Sequence, residues 1–73
     1  MHTIRTAMEY AYRAQGVVDW TEADGVYTSA VQHSSGATKR LRDAANAYLA
    51  RHKSSEVVVM HRNSAGLAMY SIS

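Results

Sequence analysis

The chain has 73 residues, no cysteine and a net charge of +2, and 47% of its residues are hydrophobic. A chain of this length forms one domain, residues 1–73, and the lack of cysteine excludes disulfide bonds and thiolate zinc sites. The longest apolar run, residues 57–60, is far shorter than the roughly 20 residues of a membrane-spanning helix. Charged residues interrupt the first twenty positions, which excludes a secretory signal. We therefore expect a soluble, cytoplasmic protein with no membrane contact.

Residues 3–15 are compatible with two structures. Apolar residues from Ile4 to Tyr12 alternate as they would in a strand, yet they also recur at helical spacing. Charged residues recur at every fourth position on the opposite side, and Thr3 and Gly16 suit the two ends of a helix. The helix is the favoured prediction, and the strand is the alternative.

A hairpin and a second helix are predicted next. Residues 17–21 and 26–32 are rich in β-branched residues and flank a polar four-residue turn, which indicates two antiparallel strands. Residues 36–52 carry an apolar stripe at helical spacing and consist largely of strong helix formers. Ser34 and Ser35 are candidate N-caps, because a serine hydroxyl can accept a hydrogen bond from a free amide of the first turn.

The end of the chain predicts a second hairpin. Residues 56–62 and 67–72 are apolar and flank turn-forming residues at 63–66. If Arg62 pairs with Leu67, one face of this hairpin carries four apolar side chains, namely Val58, Met60, Leu67 and Met69. Both faces are then apolar, and a hairpin in a two-layer domain usually shows a polar face to water. We therefore predict that these four residues contact a partner or a second copy of the chain.

The two halves of the sequence are similar. The hairpins align at an offset of 41 residues, and Ala7, Tyr10 and Arg13 align with residues of the middle helix at an offset of 38. The chain is thus a possible repeat of two helix–strand–strand units, and independent hairpins of a common type are the alternative. Either way we predict an α+β fold of two layers. A four-stranded antiparallel sheet would carry one or two helices on one face.

No catalytic or metal-binding motif stands out. The spacing of His2, His33, His52 and His61 matches no short metal-ligand pattern. His33 precedes Ser34 and Ser35, but sequence neighbours rarely form a nucleophile–base pair. We predict no metal, no cofactor and no catalytic residue, so the chain is not expected to be an enzyme.

Positive charge is concentrated in one segment. Residues 36–53 hold five basic side chains and one acidic one, Asp43, which stands four residues from Lys39 and could pair with it. The basic residues are Lys39, Arg40, Arg42, Arg51 and Lys53. On a helical wheel they fall on two flanks, which is typical of a solvated face, but they are also the predicted charge contact for an acidic or nucleic-acid-lined partner. Trp20 and Tyr27 could stack on bases if they face outward.

The β-β-α-β-β order from residue 17 onward resembles that of several small phage and bacterial proteins. Among them are short inhibitors that phages use against CRISPR nucleases. The apolar hairpin and the basic helix, together with this likeness, predict a small non-enzymatic interaction or inhibitor-type protein that occupies a surface of a larger protein or nucleoprotein. The two apolar faces of the hairpin also predict a homodimer. A nucleic-acid-binding protein that uses the basic helix is the first alternative, and a small dimeric enzyme is the second.

Overall fold

A computed structural model describes residues 3–72. The elements are α1 (Ile4–Ala14), β1 (Trp20–Ala23), β2 (Val26–Ser29), α2 (Ser35–Arg51), β3 (Val58–Arg62) and β4 (Ala68–Ile72). The four strands form one antiparallel sheet in the order β1-β2-β4-β3. Both helices contribute to one core with residues from one face of the sheet. The predicted two-layer α+β fold is confirmed, and residues 4–14 are helix rather than strand.

The two helices begin differently and end in the same way. The Ser34 hydroxyl accepts a hydrogen bond from the Ala37 amide at 3.2 Å, which confirms one of the predicted caps of α2. Thr3 occupies the N-cap position of α1 without a side-chain capping bond. At the C-terminus of each helix the chain turns through a residue with positive φ, Gly16 at 73° and Lys53 at 61°. Glycine adopts this conformation freely, whereas lysine is strained there.

The two hairpins differ in their loops. β1 and β2 are joined by Asp24 and Gly25 alone, both with positive φ, as a type I′ turn requires. The four-residue turn predicted there is wrong. In the second hairpin the backbone N–H of Asn63 donates to the Leu67 carbonyl oxygen at 3.0 Å. The three-residue loop between them ends in Gly66, whose φ is 81°.

The three-residue loop is one residue shorter than the predicted turn at 63–66, and it shifts the register of the second hairpin by one residue from the predicted one. Arg62 pairs with Ala68, not with Leu67. Because successive side chains of a strand point to opposite faces, this shift moves Val58 and Met60 to the helix-covered face and leaves Met69 on the other. The four apolar residues predicted to share one face therefore do not share it.

Each half of the molecule has the same element order. The strands β2 and β4, which close the two hairpins, lie side by side at the centre of the sheet, with Tyr27 paired to Tyr70. The rings of Tyr10 and Tyr48, 38 residues apart in sequence, meet between the helices with centroids 5.2 Å apart. The arrangement is thus approximately two-fold symmetric, with equivalent residues 38 apart in the helices and 43 apart in the central strands.

Small and aromatic residues build the core. Ala7, Ala11 and Ala45 have no exposed surface, and they let the helices lie close to each other and to the sheet. The Tyr12 ring stacks on Trp20, with centroids 5.1 Å apart, and meets Tyr70 edge-on at 6.1 Å. Within residues 3–72, the Tyr12 and Tyr70 hydroxyl groups are buried without a hydrogen-bond partner.

Candidate interaction surfaces

The predicted basic residues of α2 do not form one patch. Arg42 is half-buried and contacts the Asp43 carboxylate at 3.2 Å, so Asp43 pairs with Arg42 and not with Lys39 as the spacing suggested. The Arg40 guanidinium folds back toward Gly36, and Arg51 lies over the Tyr10 ring. Lys39 is exposed within the helix, and Lys53 is exposed at the turn that ends it. The five charges thus point to separate parts of the surface.

Aromatic and basic side chains meet along the line where α1 and α2 touch. Tyr10 is 40% exposed, and the Arg51 guanidinium carbon lies 5.4 Å from the centre of its ring, which is a cation–π distance. Tyr48 contacts Tyr10 on one side and the His52 ring, at 4.4 Å, on another. Beside this pair is a cleft of about 210 Å3 lined in part by Arg13. We call Tyr10, Arg13, Tyr48 and Arg51 the tyrosine–arginine seam.

A second cleft lies on the other side of α1. It has a volume of about 340 Å3, and its apolar wall is formed by Val17, Val18 and Trp20. Glu9 and Arg13 line both clefts, so they stand between them. The Glu9 carboxylate is held 3.3 Å from Arg5, which offsets its charge. Trp20 is half-buried and lines a cleft, whereas Tyr27 is buried and cannot stack on a ligand.

The face of the sheet opposite the helices carries no charged side chain among its strand residues. Eight residues point to this side by the strand alternation: Thr21, Ala23, Val26, Thr28, Val59, His61, Met69 and Ser71. We call them the open sheet face. Val26, Val59 and Met69 are half-buried within it. The two charged residues of the strands, Glu22 and Arg62, alternate to the helix side instead.

The register decides which predicted apolar contacts are available to a partner. Val58 is 1% exposed and belongs to the core, and Met60 packs against that core. These two residues are therefore removed from the predicted surface. Met69 lies on the open sheet face, and Leu67 precedes it with the same alternation.

One free edge of the sheet is partly closed by a side chain. Asn63 and Leu67 form a hydrogen-bonded pair. Hydrogen-bonded and non-hydrogen-bonded pairs alternate along an antiparallel ladder, so the N–H and C=O groups of Val58, Met60 and Arg62 point away from β4. The side-chain oxygen of Asn46 accepts a hydrogen bond from the Val58 N–H at 2.7 Å, and its side-chain nitrogen donates to the Val58 carbonyl oxygen at 3.0 Å. Asn46 thus takes the place of a neighbouring strand at the start of β3. At that point the edge is protected from pairing with a further strand.

A serine and a histidine lie within hydrogen-bonding distance but do not form an accessible catalytic pair. Ser29 Oγ and His33 Nε2 are 2.7 Å apart. Ser29 has no exposed surface, so a substrate cannot reach its hydroxyl. His33 therefore bonds to a buried structural serine, and Ser34 is engaged as the cap of α2.

Residues 3–72 contain neither a cluster of metal-ligating side chains nor a helix that could span a membrane. No group of three His, Asp or Glu side chains is arranged to hold a metal ion, and His2 lies outside this range. No helix in the same range is long and apolar enough to cross a membrane.

Comparison of the chain with protein-family models, curated proteins and solved structures found no match.

Proposed function

We propose that this chain is a small, non-enzymatic interaction protein of the cytoplasm that binds a larger protein through its open sheet face. The observation that carries the proposal is the lack of charge on that face. Solvated sheet faces are normally polar, and this face has Val26 and Met69 beside Thr28 and Ser71 on its two central strands and no Asp, Glu, Lys or Arg, which suits burial against a partner. An inhibitor-type role, in which the bound face blocks a surface of the larger protein or nucleoprotein, follows from this mode of binding.

The size of the face favours a larger partner over a second copy of the chain. Four strands of four or five residues each, about 4.8 Å apart, cover roughly 19 Å by 15 Å, or about 290 Å2. A stable interface buries about 800 Å2 on each side. Two copies of a flat face this small would not reach that area. A larger protein can also contact the rim of the sheet.

Two variants test the proposal, one with a negative charge added to the sheet layer and one with a negative charge added to the helical layer. Met69→Glu alters the open sheet face, whereas Ala47→Glu adds the same charge at an exposed site on α2. A protein captured from host cells by the wild-type chain should be lost with Met69→Glu and retained with Ala47→Glu. With that partner purified, Met69→Glu should raise the Kd at least about thirtyfold, because an unpaired buried charge costs about 2–5 kcal/mol.

Two outcomes would contradict the proposal. Equal capture by both variants would mean that the open sheet face is not the contact. A wild-type dimer in light scattering that becomes monomeric with Met69→Glu would make this face a self-interface, as the homodimer prediction had it. Circular dichroism melting curves of both variants establish that they are folded.

A further inference from the structure

We propose that the helical layer binds single-stranded nucleic acid along a row of alternating aromatic and basic side chains. The row consists of Trp20 and the tyrosine–arginine seam. It runs from Trp20 to Arg13, then to the Tyr10–Tyr48 pair, and ends at Arg51. It lies on the opposite side of the molecule from the open sheet face, so it does not depend on the function proposed above. It also differs from the basic contact predicted from the sequence, because Arg51 is the only one of those five basic residues that belongs to the row.

The order of the row follows from the two clefts. Trp20 lines the larger cleft, Tyr10 and Tyr48 line the smaller one, and Arg13 lines both. Arg51 adjoins the tyrosine pair, because its guanidinium lies over the Tyr10 ring at 5.4 Å from the ring centre. Aromatic faces that receive bases, interleaved with cations that receive phosphates, are the components of single-strand binding grooves.

The spacing favours an extended anion over a compact one. A single phosphate is bound by donors that converge on one point, whereas Arg13 lines the cleft beside the tyrosine pair and Arg51 lies over the Tyr10 ring. A chain of phosphates linked to planar bases can satisfy both arginines and use the rings beside them. The rings can accept bases only if those bases are unstacked, which favours a single strand over a duplex.

Charge in this region is consistent with an anionic ligand. Glu9 is the acidic residue that lines both clefts, and its pairing with Arg5 weakens its repulsion of a phosphate. Arg51 is exposed even though it lies over Tyr10.

The test is a titration with fluorescein-labelled oligonucleotides, dT15 and rU15, followed by anisotropy and by the fluorescence of Trp20. Trp20 is the only tryptophan, so a base stacked in its cleft should quench the protein's emission directly. Two phosphate contacts predict a slope of log K against log salt of about −1.4, at about 0.7 for each phosphate of a single strand.

Variants separate the row from general positive charge. Arg13→Gln and Arg51→Gln should each reduce the salt slope by about 0.7, while Lys39→Gln, an exposed lysine away from the row, should leave it unchanged. Tyr10→Ala should weaken binding about fivefold or more through the loss of a stacking surface, and Tyr10→Phe should restore it. Glu9→Gln should strengthen binding, because it removes the carboxylate between the clefts.

Several results would overturn the inference. Undetectable binding at low salt ends it, and so does tighter binding of a duplex of equal length. Equal losses for Lys39→Gln and Arg13→Gln would show diffuse electrostatic attraction. An unchanged Kd for Tyr10→Ala, with folding confirmed by circular dichroism, would mean that no base stacks there. Because the Met69→Glu variant keeps the row intact, its oligonucleotide binding should equal that of the wild type whatever the fate of the sheet-face proposal.

Discussion

Replacing Asn46 by alanine removes the two hydrogen bonds that close the start of β3. The Asn46 side chain bonds both the N–H and the carbonyl oxygen of Val58, and Val58 is only 1% exposed. Water cannot easily replace the amide at a residue so well covered. The variant therefore leaves one donor and one acceptor buried and unsatisfied.

The expected loss of stability can be estimated from these contacts. Each unsatisfied buried backbone group costs about 1–3 kcal/mol, and the better helix propensity of alanine at position 46 returns about 0.5 kcal/mol. We expect a net loss of about 3 kcal/mol. A chain of this length has a free energy of unfolding of about 4–11 kcal/mol, so the change is a large fraction of the total.

Urea unfolding measures the effect. With an m value of about 1 kcal/mol/M, the midpoint should fall by about 3 M. Asn46→Asp is the matched variant, because a carboxylate can accept from the Val58 N–H but cannot donate to the Val58 carbonyl oxygen. The urea midpoint of Asn46→Asp should lie between those of the wild type and Asn46→Ala. A midpoint for Asn46→Ala within about 0.5 M of the wild type would refute the assigned role of Asn46.

Three further predictions concern the core and the end of α2. Tyr70→Phe should leave the free energy of unfolding unchanged or raise it by up to about 1 kcal/mol, because the hydroxyl is buried without a partner; a loss above 1 kcal/mol in urea unfolding would contradict this. Burial raises the pKa of Tyr70 to about 12, so the unfolded state loses its proton first, near pH 10. Tyr70 should therefore contribute a fall in stability of about 1.4 kcal/mol per pH unit between pH 10 and 12. Burial also raises the pKa of Tyr12, which adds to the fall, so melting temperature should drop with pH in Tyr70→Phe too but less steeply. Lys53→Gly should raise the melting temperature by about 5 °C by relieving the positive φ, whereas Lys53→Ala should not.

Sequence periodicity predicted the elements better than it predicted how they pair. The apolar spacing of residues 4–14 and the Ser34 cap depend on neighbours a few positions away, and the structure confirms both. The register of the second hairpin depends on the Asn63 side chain, which accepts hydrogen bonds from the Ala65 and Leu67 amides and fixes a three-residue loop. Because a shift of one residue moves a side chain to the other face, that detail moved Val58 from the surface to the core.

The tyrosine–arginine seam has a signal in the sequence, although by itself the pattern indicates only a repeat. The offset of 38 that aligns Tyr10 with Tyr48 also aligns Arg13 with Arg51. In an approximately two-fold arrangement, equivalent residues near the axis meet each other. The Tyr10–Tyr48 contact is such a meeting, and it could be expected only once both helices were known to lie on the same face of the sheet.

The two proposed binding surfaces differ in their distribution of charge, and on that basis we propose different partners for them. The sheet's outward face has no Asp, Glu, Lys or Arg among its strand residues, so desolvating it costs little and protein contact is favoured. The helical layer carries arginines beside partly exposed rings, which favours an anionic, planar ligand. If both surfaces bind at once, the chain would link a protein surface to a nearby single strand. The apparent affinity for a nucleoprotein would then exceed that for either component alone, and loss of Met69 contact or of Arg13 contact would each reduce it.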